Sequence, residues 1–336
     1  MRNHVIFFSG GLSSFSAADA VKTRYPNDNI VLYFTDTLWE NNDLYRFIHE
    51  VSDKLKLPLL THSLGLTPIQ LMFEQKLVFN SLKGVCSRVL KIEVASRFLR
   101  RGIVPKIEKW YNKHYLKSEN FSENAVLYFG IGIEEMHRQD AIIQNWKPFE
   151  VRMPLIEQFI DNEKILKKYE IRRPILYDYG FVHNNCNGRC IKAGQAHFRN
   201  LKWKMPEVFQ KVMEQEHHLK IYVSSYHYIK NMESDGRDGF TEEVRQQQLK
   251  ELDDAYRDYF YGKKEKPDLY IHPAASATAE YMKIQQYSFM KKTVKKETKP
   301  YPLRDFHYDT EKEGQQIDIF DYGGCGCFLD YGGIAE

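Results

Sequence analysis

Three features of the sequence predict an α/β fold, a parallel sheet with helices on both faces, followed by an irregular, mainly helical C-terminal region. Short apolar runs alternate with amphipathic stretches across residues 1–160, as strand–helix–strand units require. Residues 29–35 (Asn-Ile-Val-Leu-Tyr-Phe-Thr) are apolar enough to be buried on both faces, a mark of parallel sheets. The first apolar run breaks at Gly10-Gly11, and a serine-rich, helix-like stretch follows at once.

Taken in order, residues 4–8 read as the first strand and residues 13–23 as a helix opened by serines suited to N-capping. Residues 29–35 form the second strand. Residues 40–55 form a helix, with Leu44, Phe47, Ile48, Val51 and Leu55 at helical spacing. Residues 57–63 read as a strand, 92–101 as helix, 126–132 as a strand ending in glycine, and 151–155 as a fifth strand. Beyond residue 160 the pattern is less regular. Helices at 161–169 and 205–217 flank a loop rich in Asn, Gly and Cys at 184–190. A polar loop at 231–240, a charged helix at 241–256, a Lys- and Pro-rich stretch at 262–302 and a terminal piece, Gly323-Gly324-Cys325-Gly326-Cys327-Phe328, complete the chain. The expected division is therefore 1–160 and 161–336.

With 336 residues, 43% of them apolar and 28% charged, the chain has the balance of a globular protein. A net charge of +3 does not by itself demand a nucleic-acid partner. No apolar stretch approaches the ~20 residues of a membrane helix, and the short N-terminal run reads as a buried strand rather than a signal peptide. The expectation is a cytoplasmic protein with no membrane partner. Five cysteines, an odd number with clustered spacing, favour metal binding or catalysis over a disulfide framework in that compartment.

The turn Ser9-Gly10-Gly11-Leu12-Ser13-Ser14 lies between an apolar strand and a helix. Glycines there let the backbone expose its N–H groups, the helix start adds partial positive charge, and hydroxyls add donors, which together suit a phosphate. The bland alternative is a plain glycine turn. Neither G-x-x-x-x-G-K-[ST] nor a G-x-G-x-x-G dinucleotide pattern occurs at this turn. What is present resembles the PP-loop, S-G-G-x-[DS]-S, of the ATP pyrophosphatases, a superfamily that includes phosphoadenosine phosphosulfate (PAPS) reductases and thiolation enzymes. Further matches follow in order. Asp36 ends the second strand, where ligands of open parallel sheets bind. Residues 86–91 (Cys-Ser-Arg-Val-Leu-Lys) resemble the C-x-x-x-[RL]-K segment of PAPS reductases. Residues 130–138 (Gly-Ile-Gly-Ile-Glu-Glu-Met-His-Arg) partly match their G-x-R-x-x-E-S-x-x-R motif. Residues 186–195 are similar to the C-x-x-x-C-x-K-A-G-Q pattern of PAPS-reductase-like proteins.

The resemblance implies an adenine nucleotide α-hydrolase-like (HUP-type) sheet in residues 1–160. It also implies ATP with Mg2+ as cofactors, and a nucleotide site made by Ser9, Gly10, Gly11, Ser13, Ser14, Asp36 and Gly130. Cys86, Lys91 and Arg138 are the candidate catalytic residues, Lys91 and Arg138 as anion contacts. The implied reaction is adenylation of a substrate followed by sulfur transfer. The acceptor is a nucleic acid (tRNA or DNA) or a small molecule, and a sulfur donor protein is a candidate partner. Two alternatives stay open: sulfonucleotide reduction using Cys325 or Cys327, and a non-catalytic nucleotide-binding module of a larger phage or defence complex. Cys186 and Cys190, with Cys325 and Cys327, make two close thiol pairs on glycine-containing loops, enough for four ligands to a 4Fe–4S cluster or Zn2+. A variant of this arrangement uses Cys86, Cys186 and Cys190. His183, His197, His217 and His218 are further candidate ligands.

Overall fold

Asn3–Phe7 (β1), Asn29–Thr35 (β2), Leu59–Ser63 (β3), Ile107–Tyr111 (β4), Val126–Phe129 (β5) and Glu150–Arg152 (β6) form one sheet in the order β4-β3-β2-β1-β5-β6. The computed structural model describes residues 1–79, 85–231, 241–268, 287–294 and 297–306. All neighbours in the sheet are parallel except β3 and β4. Successive side chains of a strand point to opposite faces, and the burial follows from that. Ile6, Phe8, Leu32 and Phe34 pack on one face with Phe15, Phe47 and Val51. Val5, Phe7, Val31 and Tyr33 pack on the other with Leu60, Leu99, Phe129 and Trp146. Every residue of β2 is buried, as its sequence requires.

Most of the expected strands and helices form, although the strand expected at 126–132 ends at Phe129 and the one expected at 151–155 ends at Arg152, with Pro154–Glu157 helical; three further differences have a plain physical reason. The first helix, Leu12–Arg24 (α1), is not capped by a serine: its N-cap is Gly11, with no side-chain hydrogen bond, and Ser14 instead donates from Oγ to the Gly11 carbonyl at 2.8 Å. The second helix, Asn42–Leu55 (α2), starts two residues later than expected because Asn41 caps it, accepting from the Asp43 N–H at 2.8 Å. Glu40 is thereby left in the preceding loop. The antiparallel edge strand β4 has no counterpart in the sequence reading, because Glu108, Lys109 and Tyr111 are exposed and only Ile107 and Trp110 are half-buried. Such a mixed, charged strand suits a sheet edge.

Two compact units are formed. The first joins Met1–Leu66 to Val85–Cys190 and carries the whole sheet. Residues 161–190, grouped with the C-terminal region by sequence pattern, belong to it: Ile165, Leu166 and Ile171 enter the same core as Phe15 and Phe47. The second unit takes residues 67–79 and the described residues from Ile191 onward. It is built from the helices Pro68–Gln75, Gln195–Lys204, Pro206–Asn231 and Glu242–Phe260 and a hairpin, Met290–Val294 (β7) with Glu297–Tyr301 (β8). The third of these helices runs 14 residues beyond the expected end at 217. Among the described residues, no helix is long and apolar enough to cross a membrane.

Glu216 joins the hairpin to the long helix. Its carboxylate is 1% exposed and accepts the N–H of Phe289 at 2.7 Å and of Leu303 at 2.6 Å. Burial pushes its pKa up from 4.5 to about 7, against the opposing pull of those two N–H groups and Lys220; Asp305 adds a small push upward. The folded protein therefore keeps this proton to about pH 7, whereas the unfolded chain releases it near 4.5. The Glu216 contribution to stability is thus largest at low pH and falls as pH rises through that window. Glu216→Gln retains only one acceptor for two buried N–H groups. It is expected to cost about 1–3 kcal/mol in urea unfolding at pH 5.5 and to flatten the pH dependence between pH 5 and 7. Equal stability, or an unchanged pH slope, would mean that Glu216 does not hold the hairpin.

Candidate active site

The chain leaves β1 at the topological switch of the sheet, with β2 on one side and β5 on the other. Phe7 is level with Tyr33 and with Phe129, so three carboxyl ends open onto one crevice. Gly10 has φ +79°, and a β-carbon there would stand 2.8 Å from Leu44 Cγ, so backbone and space both require glycine. The first turn of α1 contains no acidic residue and its N-cap supplies no side-chain acceptor. The Leu12 N–H is met by the Tyr177 hydroxyl at 3.3 Å, and Ser9 donates from Oγ to Ser14 Oγ at 3.4 Å. Backbone donors, hydroxyls and the positive end of a helix dipole converge there, which is the chemistry of an anion site. Gly130 closes it from the β5 side: a β-carbon there would stand 2.6 Å from the Ser14 nitrogen. Ser9, Gly10, Gly11, Ser13, Ser14 and Gly130 thus lie together at this turn.

Asp36, at the end of β2, is 7% exposed. Its carboxylate accepts the Leu38 N–H at 2.7 Å and the Tyr45 hydroxyl at 2.9 Å. Burial raises its pKa, and those bonds and Lys91 pull it back. Asp36 does not cap α2; it fixes the β2–α2 loop. Glu40 in that loop is 8% exposed and accepts the Thr37 hydroxyl at 2.8 Å and the Cys186 N–H. Burial raises its pKa too, opposed first by Lys91. Lys91, 3% exposed, lies in a π-helical turn, Arg88–Ile92, that leads into the helix Glu93–Arg101. A π-turn inserts one extra residue per turn and re-aims side chains, a device frequent at functional sites. Its ammonium acts on Asp36, Glu40 and Cys186 together. Arg88 turns to Glu93 at 3.5 Å instead. Arg138 is buried after β5 and bonded to Glu135. Cys86 is half-buried, one turn before Lys91.

The loop 184–190 reaches the same end of the sheet, which its sequence does not reveal. Asn184 donates from Nδ2 to the Gly10 carbonyl at 2.9 Å, Cys186 donates its N–H to Glu40, and Asn41 donates from Nδ2 to Asn187 Oδ1 at 2.7 Å. The Arg189 guanidinium stacks over Trp39 at 4.4 Å. Between these anchors Cys186, Asn187 and Gly188 have φ of 56°, 50° and 71°. A left-handed conformation costs a non-glycine residue such as Cys186 about 1–3 kcal/mol, and persists only where its surroundings enforce it. The turn brings the Cys186 and Cys190 thiols, both buried, within hydrogen-bond reach of each other. That bond, burial and the Glu40 charge push the Cys186 thiol well above its ordinary range, with Lys91 opposing. At neutral pH Cys186 is therefore a neutral thiol, and its thiolate needs a compensating charge.

Among the described residues, no group of three or more His, Cys, Asp or Glu side chains is placed to hold a metal ion. Cys325 and Cys327, the expected second ligand pair, lie outside the described residues. His183 is beside the thiol loop and accepts the Asn185 N–H at 3.4 Å. His197, His217 and His218 belong to the second unit. Glu40, Trp39, Tyr177, Asn184 and Arg189 line the site without having been singled out from sequence.

Residues 3–107 match the family model of the phosphoadenosine phosphosulfate reductase domain. No curated protein and no solved structure matches the chain.

The Gly130 contact is open to test. In Gly130→Ala the new methyl meets α1 backbone, which cannot swing aside as a side chain would. The expected cost is about 1–3 kcal/mol in chemical unfolding. Wild-type stability would show that β5 does not approach α1 so closely.

Proposed function

We propose that this chain, a PAPS-reductase-like member of the PP-loop superfamily, is an enzyme that binds ATP–Mg2+ on residues 9–14 and activates an acceptor by adenylation for sulfur transfer. The observation that carries the reading is the docking of the thiol loop on the nucleotide loop: Asn184 bonds Gly10, and Cys186 bonds Glu40 beside Lys91. Phosphate chemistry and thiol chemistry then share one end of the sheet.

In this reading, an acceptor oxygen attacks the α-phosphorus and pyrophosphate leaves; a sulfur nucleophile then displaces AMP. The backbone N–H groups of the α1 start and Lys91 stabilise charge as it develops on the phosphates. Asp36 keeps the β2–α2 loop fixed, and the Arg138 guanidinium is an anion contact on the β5 side. Cys86 lies close in sequence to Lys91 and serves as an auxiliary thiol. Mg2+, when bound with ATP, neutralises the phosphate oxygens. Cys186 and Cys190 provide two adjacent sulfurs, which fits half of a four-thiolate metal site, with Cys325 and Cys327 proposed as the other half. A 4Fe–4S cluster or Zn2+ there would supply the positive charge that holds both thiols ionised. The acceptor is proposed to be a tRNA or DNA group or a small molecule, with sulfur delivered by a donor protein.

A second reading, sulfonucleotide reduction, is favoured by the reductase-domain match together with a dithiol at the site. It predicts sulfite release from a sulfonucleotide without ATP.

Gly11→Val tests the first reading. Its side chain projects toward the Tyr177 hydroxyl, 3.2 Å from the β-carbon position, and into the phosphate approach. Calorimetry is expected to show at least about tenfold weaker ATP binding, or ~1.4 kcal/mol, with the melting transition retained. Equal ATP affinity in the folded variant would reduce the loop to a turn. Cys186→Ser and Cys190→Ser are expected to keep ATP binding and to lose sulfur transfer; transfer at the wild-type rate in both would exclude the dithiol.

A further inference from the structure

We propose that Arg189 is the receptor for a tetrahedral oxyanion of the second substrate, in a subsite of its own beside the PP-loop; this rests on the reading that residues 9–14 hold the nucleotide. The arginines Arg46, Arg172 and Arg173 near α2 have carboxylate partners. Arg46 pairs with Asp43 at 2.6 Å and with Glu50 at 2.5 Å, Arg172 with Asp43 at 2.6 Å, and Arg173 with Asp178 at 2.6 Å. Arg189 has no carboxylate within ion-pair distance among the described residues. Its Nε is buried without a partner, and its longest reach is from Nη2 to the Trp39 carbonyl at 3.5 Å, the limit of a hydrogen bond. Glu40 influences it only from a distance, its own oxygens being taken by Thr37 and Cys186.

A guanidinium Nε withdrawn from water with no acceptor is costly unless an anion completes it. An arginine guanidinium is a cation at neutral pH. The guanidinium carbon lies over the Trp39 ring, 4.4 Å from its centroid, and a planar guanidinium fork suits two oxygens of a sulfate or phosphate group. The Arg189 charge and a charge on Cys186 act on each other, so an anion on Arg189 lies within electrostatic reach of the thiol pair. A second unsatisfied polar atom lies in the same loop. Asn184 is 1% exposed; its Nδ2 must face the Gly10 carbonyl, which can only accept, and this leaves Oδ1 buried with no donor. The loop thus keeps both an unfilled cationic donor and an unfilled acceptor, a pair suited to a group with anionic oxygens and a neighbouring hydroxyl or amine.

The test uses the full chain, inorganic sulfate as probe, and thermal melting with calorimetry. Sulfate is expected to raise the wild-type melting temperature, since a ligand of the folded state stabilises it. Arg189→Gln should weaken sulfate binding at least about tenfold, while ATP affinity changes less than about twofold. Without sulfate, Arg189→Gln also loses the Trp39 contact, so the readout is the sulfate-induced shift and not the ligand-free melting temperature. Arg189→Lys, with charge but no fork, should bind sulfate at an intermediate strength. Gly11→Val should keep the sulfate response and lose ATP. The proposal is overturned if wild type ignores sulfate, if Arg189→Gln binds it equally, or if Gly11→Val abolishes the response. Failure of wild type to bind ATP is a separate result, which sinks the nucleotide reading and leaves the sulfate comparison legible.

Discussion

The close approach of β5 to the first turn of α1 is the constraint on which the rest of the site depends. Parallel pairing puts Phe7 and Phe129 side by side, and Gly130 then has room for a hydrogen but not a methyl against the Ser14 nitrogen. The contact fixes where α1 begins, and so where its first N–H groups point. Gly10, forced to positive φ by the same tight exit from β1, sets the other side of the turn. A helix start with neither a side-chain cap nor an acidic residue is an incomplete structure in electrostatic terms, and an anion completes it.

A second layer is laid on that turn by residues far along the chain. Residues 184–190 carry a left-handed bend at Cys186 that isolated peptide would avoid, and four contacts hold it: to Gly10, Glu40, Asn41 and Trp39. The charges near it are interdependent. Burial raises the Asp36 and Glu40 carboxyls, opposed first by the Leu38 N–H and Tyr45 hydroxyl at Asp36 and first by Lys91 at Glu40; the Cys190 bond, burial and the Glu40 charge together raise the Cys186 thiol. A change of charge at any one of them, by metal, substrate or proton, alters the others. This coupling is what a site needs if thiol reactivity is to follow ligand binding.

Much of the first unit was legible because its signals are local. The fully apolar β2, the Gly-Gly turn and the spacing of Leu44, Phe47 and Val51 each encode their element without reference to the rest of the fold. The serine-rich start of α1 misled as to capping because hydroxyls there serve the turn's own carbonyl rather than the helix N–H groups. The placement of Glu40 was hidden by a helix-like pattern that Asn41 cuts short. Lys91 was found by motif, but its aim depends on a π-turn that spacing alone does not signal. The role of Arg189 was invisible for a different reason: what distinguishes it is the absence of a carboxylate in three dimensions, and no sequence pattern records that.

The central claim is that the nucleotide loop and the thiol loop are one site. It is tested most directly by the rates at which a maleimide modifies Cys186 and Cys190, read by mass spectrometry with and without saturating ATP–Mg2+. The account predicts that ATP slows modification of both cysteines in wild type and has no such effect in the folded Gly11→Val protein. Modification of Cys186 and Cys190 at the same rate with ATP bound as without it would contradict the claim.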